Sequence, residues 1–150
     1  MNFTILAKDR SAFTLVNGST EIATIKYTAQ SQSVRLQSNE RRVFFLEEVG
    51  VLQSKILLKT EYGVQIGENY YTKQQHKGVL YLSKQKFSYS IEADAINIYN
   101  KRQQLSFQLD KANALDAQDV SALLFSLAWM LTNAEISATA AHTASGQYVS

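Results

Sequence analysis

The chain reads as mainly β: a closed antiparallel barrel of about 11–12 strands around a central hydrophobic C-terminal helix. Three observations predict this. Apolar and polar residues alternate over the first 110 positions, turn signals separate the alternating runs at short intervals, and one segment near the C-terminus is apolar in every direction. Alternation with period two marks strands with one face in a core and the other in water.

In order, the strands are expected near 2–8, 11–17, 21–28, 32–37, 41–48, 51–60, 62–67, 69–73, 78–83, 86–93 and 95–109, the last broken as a hairpin at Asn100. The first is set by Phe3, Ile5 and Ala7, the third by Ala23, Ile25 and Tyr27, the tenth by Phe87, Tyr89 and Ile91. The turn signals include Asn17-Gly18, Tyr62-Gly63, Gly67-Glu68-Asn69, Lys77-Gly78 and Asn100-Lys101. Asn17-Gly18 is the sharpest, since both residues tolerate the positive φ of a type I′ hairpin. Short connections without intervening helix call for an antiparallel meander. The chain has no proline, which removes one device for blunting sheet edges and favours closure.

At residue 110 the period changes. Asp116 is a suitable N-cap and Asp119 complements the positive end of a helix expected over 117–135. A helix lying on a sheet would keep a polar back. Here Leu123, Leu124, Phe125, Leu127, Ala128, Trp129, Met130 and Leu131 cover all sides, interrupted only by Ser121 and Ser126, whose hydroxyls can bond back to helix carbonyls. The apolar run Val120–Leu131 is too short for a bilayer, which takes about 20 residues, so the helix belongs inside protein. A PH-like domain or a lipocalin-like barrel would show an amphipathic helix instead, and a central helix leaves no room for an internal ligand. Residues 1–136 form one domain and 137–150, small and polar, a flexible tail.

Many short strands followed by "QDVSALLFSLAWMLTN", with "KFSYSIEADAINIYNKRQQLSFQLD" feeding it, resembles the tubby C-terminal-like superfamily, which includes tubby proteins, phospholipid scramblases and LURP-one-related proteins. The resemblance implies a barrel of roughly twelve strands threaded by its C-terminal helix, and covers residues 2 to about 135. It rests on the order of patterns, and no binding motif of that group transfers position by position.

Chemistry is sparse. With no cysteine and two histidines (His76 in a polar turn and His142), neither a thiolate site nor a histidine metal cluster is expected. Signatures of phosphate loops, zinc hydrolases and serine hydrolases are absent, and Glu47-Glu48 and Glu92/Asp94 read as solvated strand ends. No catalytic residue and no cofactor is expected. The net charge of +2 argues against nucleic acid.

Its distribution is more informative. From Asn69 to Ile91 the chain carries Lys73, Lys77, Lys84 and Lys86 with no acid, and tyrosines are interleaved. Arg35, Arg41 and Arg42 form a second basic run, whereas 92–135 is acidic. The expectation is a non-enzymatic cytoplasmic binding module, peripheral at the membrane, whose four lysines recognise anionic phospholipid headgroups or phosphoinositides. The alternative is a protein-interaction domain using exposed tyrosines.

Overall fold

The computed structural model describes residues 3–50, 55–72, 76–133 and 136. Eleven strands close into one barrel in sequence order. They are β1 (Phe3–Asp9), β2 (Ala12–Asn17), β3 (Thr20–Thr28), β4 (Ser33–Gln37), β5 (Arg41–Val49), β6 (Lys55–Thr60), β7 (Gln65–Thr72), β8 (Lys77–Leu82), β9 (Gln85–Ile91), β10 (Ala95–Tyr99) and β11 (Gln104–Gln108). Each neighbouring pair along the meander is antiparallel. An odd number of alternating strands leaves the first and last pointing the same way. Closure is accordingly parallel, with Phe3 opposite Phe107 and Thr4 opposite Gln108.

A short 3-10 turn, Ala112–Ala114, leads into α1 (Ala117–Thr132). Asp116 caps it, its Oδ1 accepting from Asp119 N–H at 2.8 Å. Ala122 through Ala128 are each at most 1% exposed, without exception. Seven consecutive residues at 3.6 per turn cover the whole circumference, so the helix is enclosed by wall. It packs most closely on β3 and β8, which stand on opposite sides of the ring. Eleven strands at about 4.8 Å spacing and about 40° tilt enclose a barrel about 22 Å across, which puts the wall about 11 Å from the axis. That is close to the separation at which secondary-structure layers pack.

The strands supply their inward residues alternately: Phe44 and Leu46 from β5, Ile56 and Leu58 from β6, Leu80 and Leu82 from β8, Phe87, Tyr89 and Ile91 from β9. The expected break at Asn100 occurs, and yields β10 and β11. The expected break at Gly67-Glu68-Asn69 does not. Those residues lie within β7, which merges the two strands anticipated at 62–67 and 69–73. Gly67 is there for space: a Cβ would sit 2.9 Å from the Tyr81 carbonyl oxygen and 3.0 Å from Phe125 Cε1. Gly78, also expected in a turn, lies within β8 against Tyr89 and the Tyr70 carbonyl. At the β2–β3 hairpin, Asn17 pairs with Thr20, so Gly18-Ser19 form the loop, with positive φ at Gly18 alone. A type I′ turn would need it at both central positions.

Ser126 departs from expectation too. Its hydroxyl is buried without a hydrogen-bond partner among the described residues. Ser121, by contrast, accepts a bond from Asn69 on the wall. The helix ends at Thr132 with Asn133 as C-cap, three residues before the expected limit. Ile136 is buried, and its N–H donates to the Met130 carbonyl at 3.3 Å. The tail expected at 137–150 lies outside the described residues.

Candidate functional site

The topology assigns every loop to one of two mouths. Odd strands run toward the upper mouth, where α1 begins, and even strands run toward the lower mouth, where α1 ends. This sorts the charges. Arg41 and Arg42 open β5, Lys84 lies in the β8–β9 turn with Lys86 just after it, and Lys101 and Arg102 form the β10–β11 turn, all at the lower mouth against Glu21, Glu40 and Glu61. At the upper mouth Asp9, Glu48, Glu92, Asp94, Asp110, Asp116 and Asp119 outnumber Lys8, Arg10, Lys55, Lys77 and Lys111. The barrel is polarised end to end. Acids surround the positive end of the helix dipole and bases its negative end.

The four lysines singled out by sequence are divided by this geometry. Lys84 and Lys86 are exposed at the lower mouth. Lys77 is exposed at the upper one, the full length of β8 away, about 17 Å at 3.3 Å per residue. Lys73 lies outside the described residues. A run of lysines along a hairpin is continuous in sequence but alternates between ends in space.

The residues that join Lys84 and Lys86 come from distant segments. The β6–β7 hairpin projects Tyr62, 86% exposed, and Val64, 57% exposed, at the same mouth. The two turns are adjacent, as Ser83 N–H donates to the Ile66 carbonyl at 3.1 Å. Arg42 pairs with Glu40 and stacks 5.7 Å from the centroid of the Trp129 ring, which in turn meets Phe44 at 5.1 Å. Trp129 is half-buried, facing out where the helix ends. Lys101 and Arg102 sit in a segment whose sequence is net acidic, so counting by segment misses them.

The Ser83-Lys84 turn carries a local strain. Its two central residues have φ of 49° and 69°, a left-handed conformation in which glycine or asparagine costs less than lysine.

The upper mouth holds a cavity of about 550 Å³. The wall contributes Glu48, Asn69, Tyr71, Tyr89 and Ile91, and the segment leading into α1 contributes Leu115, Asp116, Gln118 and Val120. The expectation of a filled barrel holds along the helix but stops where α1 starts. At its base Asn69, 1% exposed, donates through Nδ2 to Ser121 Oγ at 2.9 Å and accepts through Oδ1 from the Tyr89 hydroxyl at 2.7 Å. Burial drives the Tyr89 hydroxyl well above the ordinary phenol range, only partly offset by its bond to Asn69. Tyr27 is raised as well, by burial first and then by the Asp116, Asp119 and Glu48 carboxylates.

Three of the four carboxylates read as solvated strand ends have structural partners. Glu47 pairs with Lys59, Glu48 Oε1 accepts from Gln118 Nε2 at 3.1 Å, and Glu92 accepts from Asn97 at 3.1 Å. Among the described residues no group of three His, Cys, Asp or Glu side chains is placed to hold a metal ion, and no helix is long and apolar enough to cross a membrane. His76 is exposed, with a left-handed backbone of φ 51°, and borders the cavity. No protein-family model, curated protein or solved structure matches the chain.

Proposed function

We propose that this chain is a non-enzymatic cytoplasmic module that docks its lower mouth on an anionic phospholipid surface. The observation that supports it is the coincidence of a basic ring with an apolar tip. Arg41, Lys84, Lys86, Lys101 and Arg102 ring the same mouth at which the β6–β7 hairpin exposes Tyr62 and Val64. Each basic residue near an anionic leaflet contributes about 1 kcal/mol, and a tyrosine suits the headgroup boundary. The left-handed lysine at position 84 fits the same reading, since strain held at an exposed turn points to a use for its side chain. A closed barrel threaded by its C-terminal helix is also the layout implied by the tubby-like resemblance, with eleven strands in place of roughly twelve; membership of that superfamily is part of the proposal.

Co-sedimentation with phosphatidylserine-containing vesicles tests it. Binding is expected at low salt, is lost with neutral phosphatidylcholine vesicles, and falls at least tenfold in the Lys84→Glu/Lys86→Glu double variant. Lys77→Glu, at the opposite mouth, leaves it unchanged. Binding that is absent at low salt, or indifferent to the double variant, overturns the proposal.

A protein-interaction reading has its own observation. On the outer wall Tyr70 and Tyr81 meet edge to face at 6.1 Å and, with Glu68 and Val79, line a shallow hollow. A partner seated there would be lost in Tyr81→Ala and keep its affinity in the lysine double variant.

A further inference from the structure

The upper mouth is chemically unlike the lower one. Its cavity is walled by Ile91, Leu115 and Val120 with the Tyr71 ring, and its volume of about 550 Å³ falls in the range of small-molecule sites. The polar base is already satisfied, because Asn69 is bonded on one side to Ser121 and on the other to Tyr89. What the walls still offer is negative charge. Glu48 follows Phe44 and Leu46 in the inward series of β5, and only its Oε1 is engaged, by Gln118. Its second oxygen has no partner among the described residues. Asp116 lines the same cavity. Lys77 borders it but shares the outward series of β8 with Val79 and Tyr81, opposite to buried Leu80 and Leu82.

We infer that this cavity binds a small primary ammonium compound with an apolar body. The ammonium group sits against the Glu48 carboxylate with Asp116 nearby, and its hydrocarbon lies along Ile91, Leu115, Val120 and Tyr71. A carboxylate held by one hydrogen bond keeps its direction and has lone pairs left for an N⁺–H donor, the stronger class of hydrogen bond. The apolar walls select for a hydrocarbon tail. Burial first, and then the Asp116, Asp119 and Glu48 carboxylates, push the nearby Tyr27 hydroxyl up, and the same carboxylates favour a cation here.

Titration of the full chain with n-butylammonium, followed by NMR shifts of tyrosine ring protons, tests this. Saturable shifts are expected, with none from butyrate at the same concentrations. Glu48→Gln should reduce affinity at least tenfold, and Glu48→Lys, which places a cation in the mouth, should abolish it. Position 48 is exposed, so both variants should keep the melting temperature of the parent. Absence of saturable shifts, equal binding of butyrate, or unchanged affinity in Glu48→Gln overturns the inference. The vesicle assay reads the opposite mouth and is independent of this result.

Discussion

The Asn69 amide donates to Ser121 Oγ across 2.9 Å and so ties the middle of the barrel wall to the first turns of the helix inside it. Fifty-two positions separate the two residues. The rest of the helix–wall boundary is dominated by apolar contact, which fixes depth and rotation only through shape. One directional bond between buried groups sets the register of α1 in the barrel.

Removing the third member of that chain should be costly. Tyr89→Phe keeps the ring but leaves Asn69 Oδ1 buried without its donor, and a buried unsatisfied acceptor costs about 1–3 kcal/mol. Chemical denaturation should show a lower midpoint with an unchanged slope. A stability equal to the parent would mean that water replaces the hydroxyl.

Gly67→Ala should also destabilise, through crowding. The new methyl would press on the Tyr81 carbonyl, a backbone atom that cannot swing away, and on the Phe125 ring of the helix. Overpacking of this kind costs about 1–3 kcal/mol. Phe125→Leu should recover part of the loss if the ring is the limiting contact, as thermal melts of the single and double variants would show.

Gly67 also shows where sequence was legible and where it was not. Alternation located the strands, and the all-round apolarity of 122–128 located the helix inside them, because both signals are local and follow from burial. The Gly67-Glu68-Asn69 run has the composition of a turn. Its real cause is the approach of Phe125 from 58 positions away, which no window around residue 67 contains. With 95–109 broken at Asn100 the expected strands number twelve, and the missed join in β7 brings them to the eleven observed. The basic mouth follows the same logic. Lys84 and Lys86 could be named from their own segment, whereas Arg41, Lys101, Arg102 and Tyr62 come to share their mouth only when the meander closes.

Ser126 predicts a change in the other direction. Its hydroxyl lies in the apolar centre without a hydrogen-bond partner among the described residues, so it carries a desolvation cost with no return. Ser126→Ala should raise stability by about 1 kcal/mol, given the known cost of an unsatisfied buried hydroxyl. A lower melting temperature would show that the hydroxyl is bonded in solution, as the back-bond expected from sequence would have it.

At Lys84 stability and binding should separate. Glycine tolerates φ 69° without the penalty that lysine bears, so Lys84→Gly should be at least as stable as the parent. The same variant lacks one of the cations of the lower mouth and should bind anionic vesicles less tightly. A loss of both stability and binding would indicate that the lysine serves the turn itself.

Asp119 gives the pH dependence. Burial is the largest influence on its carboxyl and raises its pKa above the ordinary value; the Ser11 hydrogen bond opposes this, and the neighbouring Asp116 adds to the rise. A carboxyl whose pKa is higher folded than unfolded favours the folded state while protonated. That contribution is complete below the unfolded value of about 4, and is lost as pH rises through the folded one. At neutral pH the ionised group is therefore a net cost, apart from its favourable place in the first turn of α1. Asp119→Asn should thus melt higher than the parent at pH 7, and the advantage should vanish as the pH is lowered past the ordinary carboxylate range. Melting curves across pH 3–8 would read this directly. An advantage that grows toward acid would mean that the carboxylate is stabilised in place, with the helix dipole and Arg10 outweighing burial.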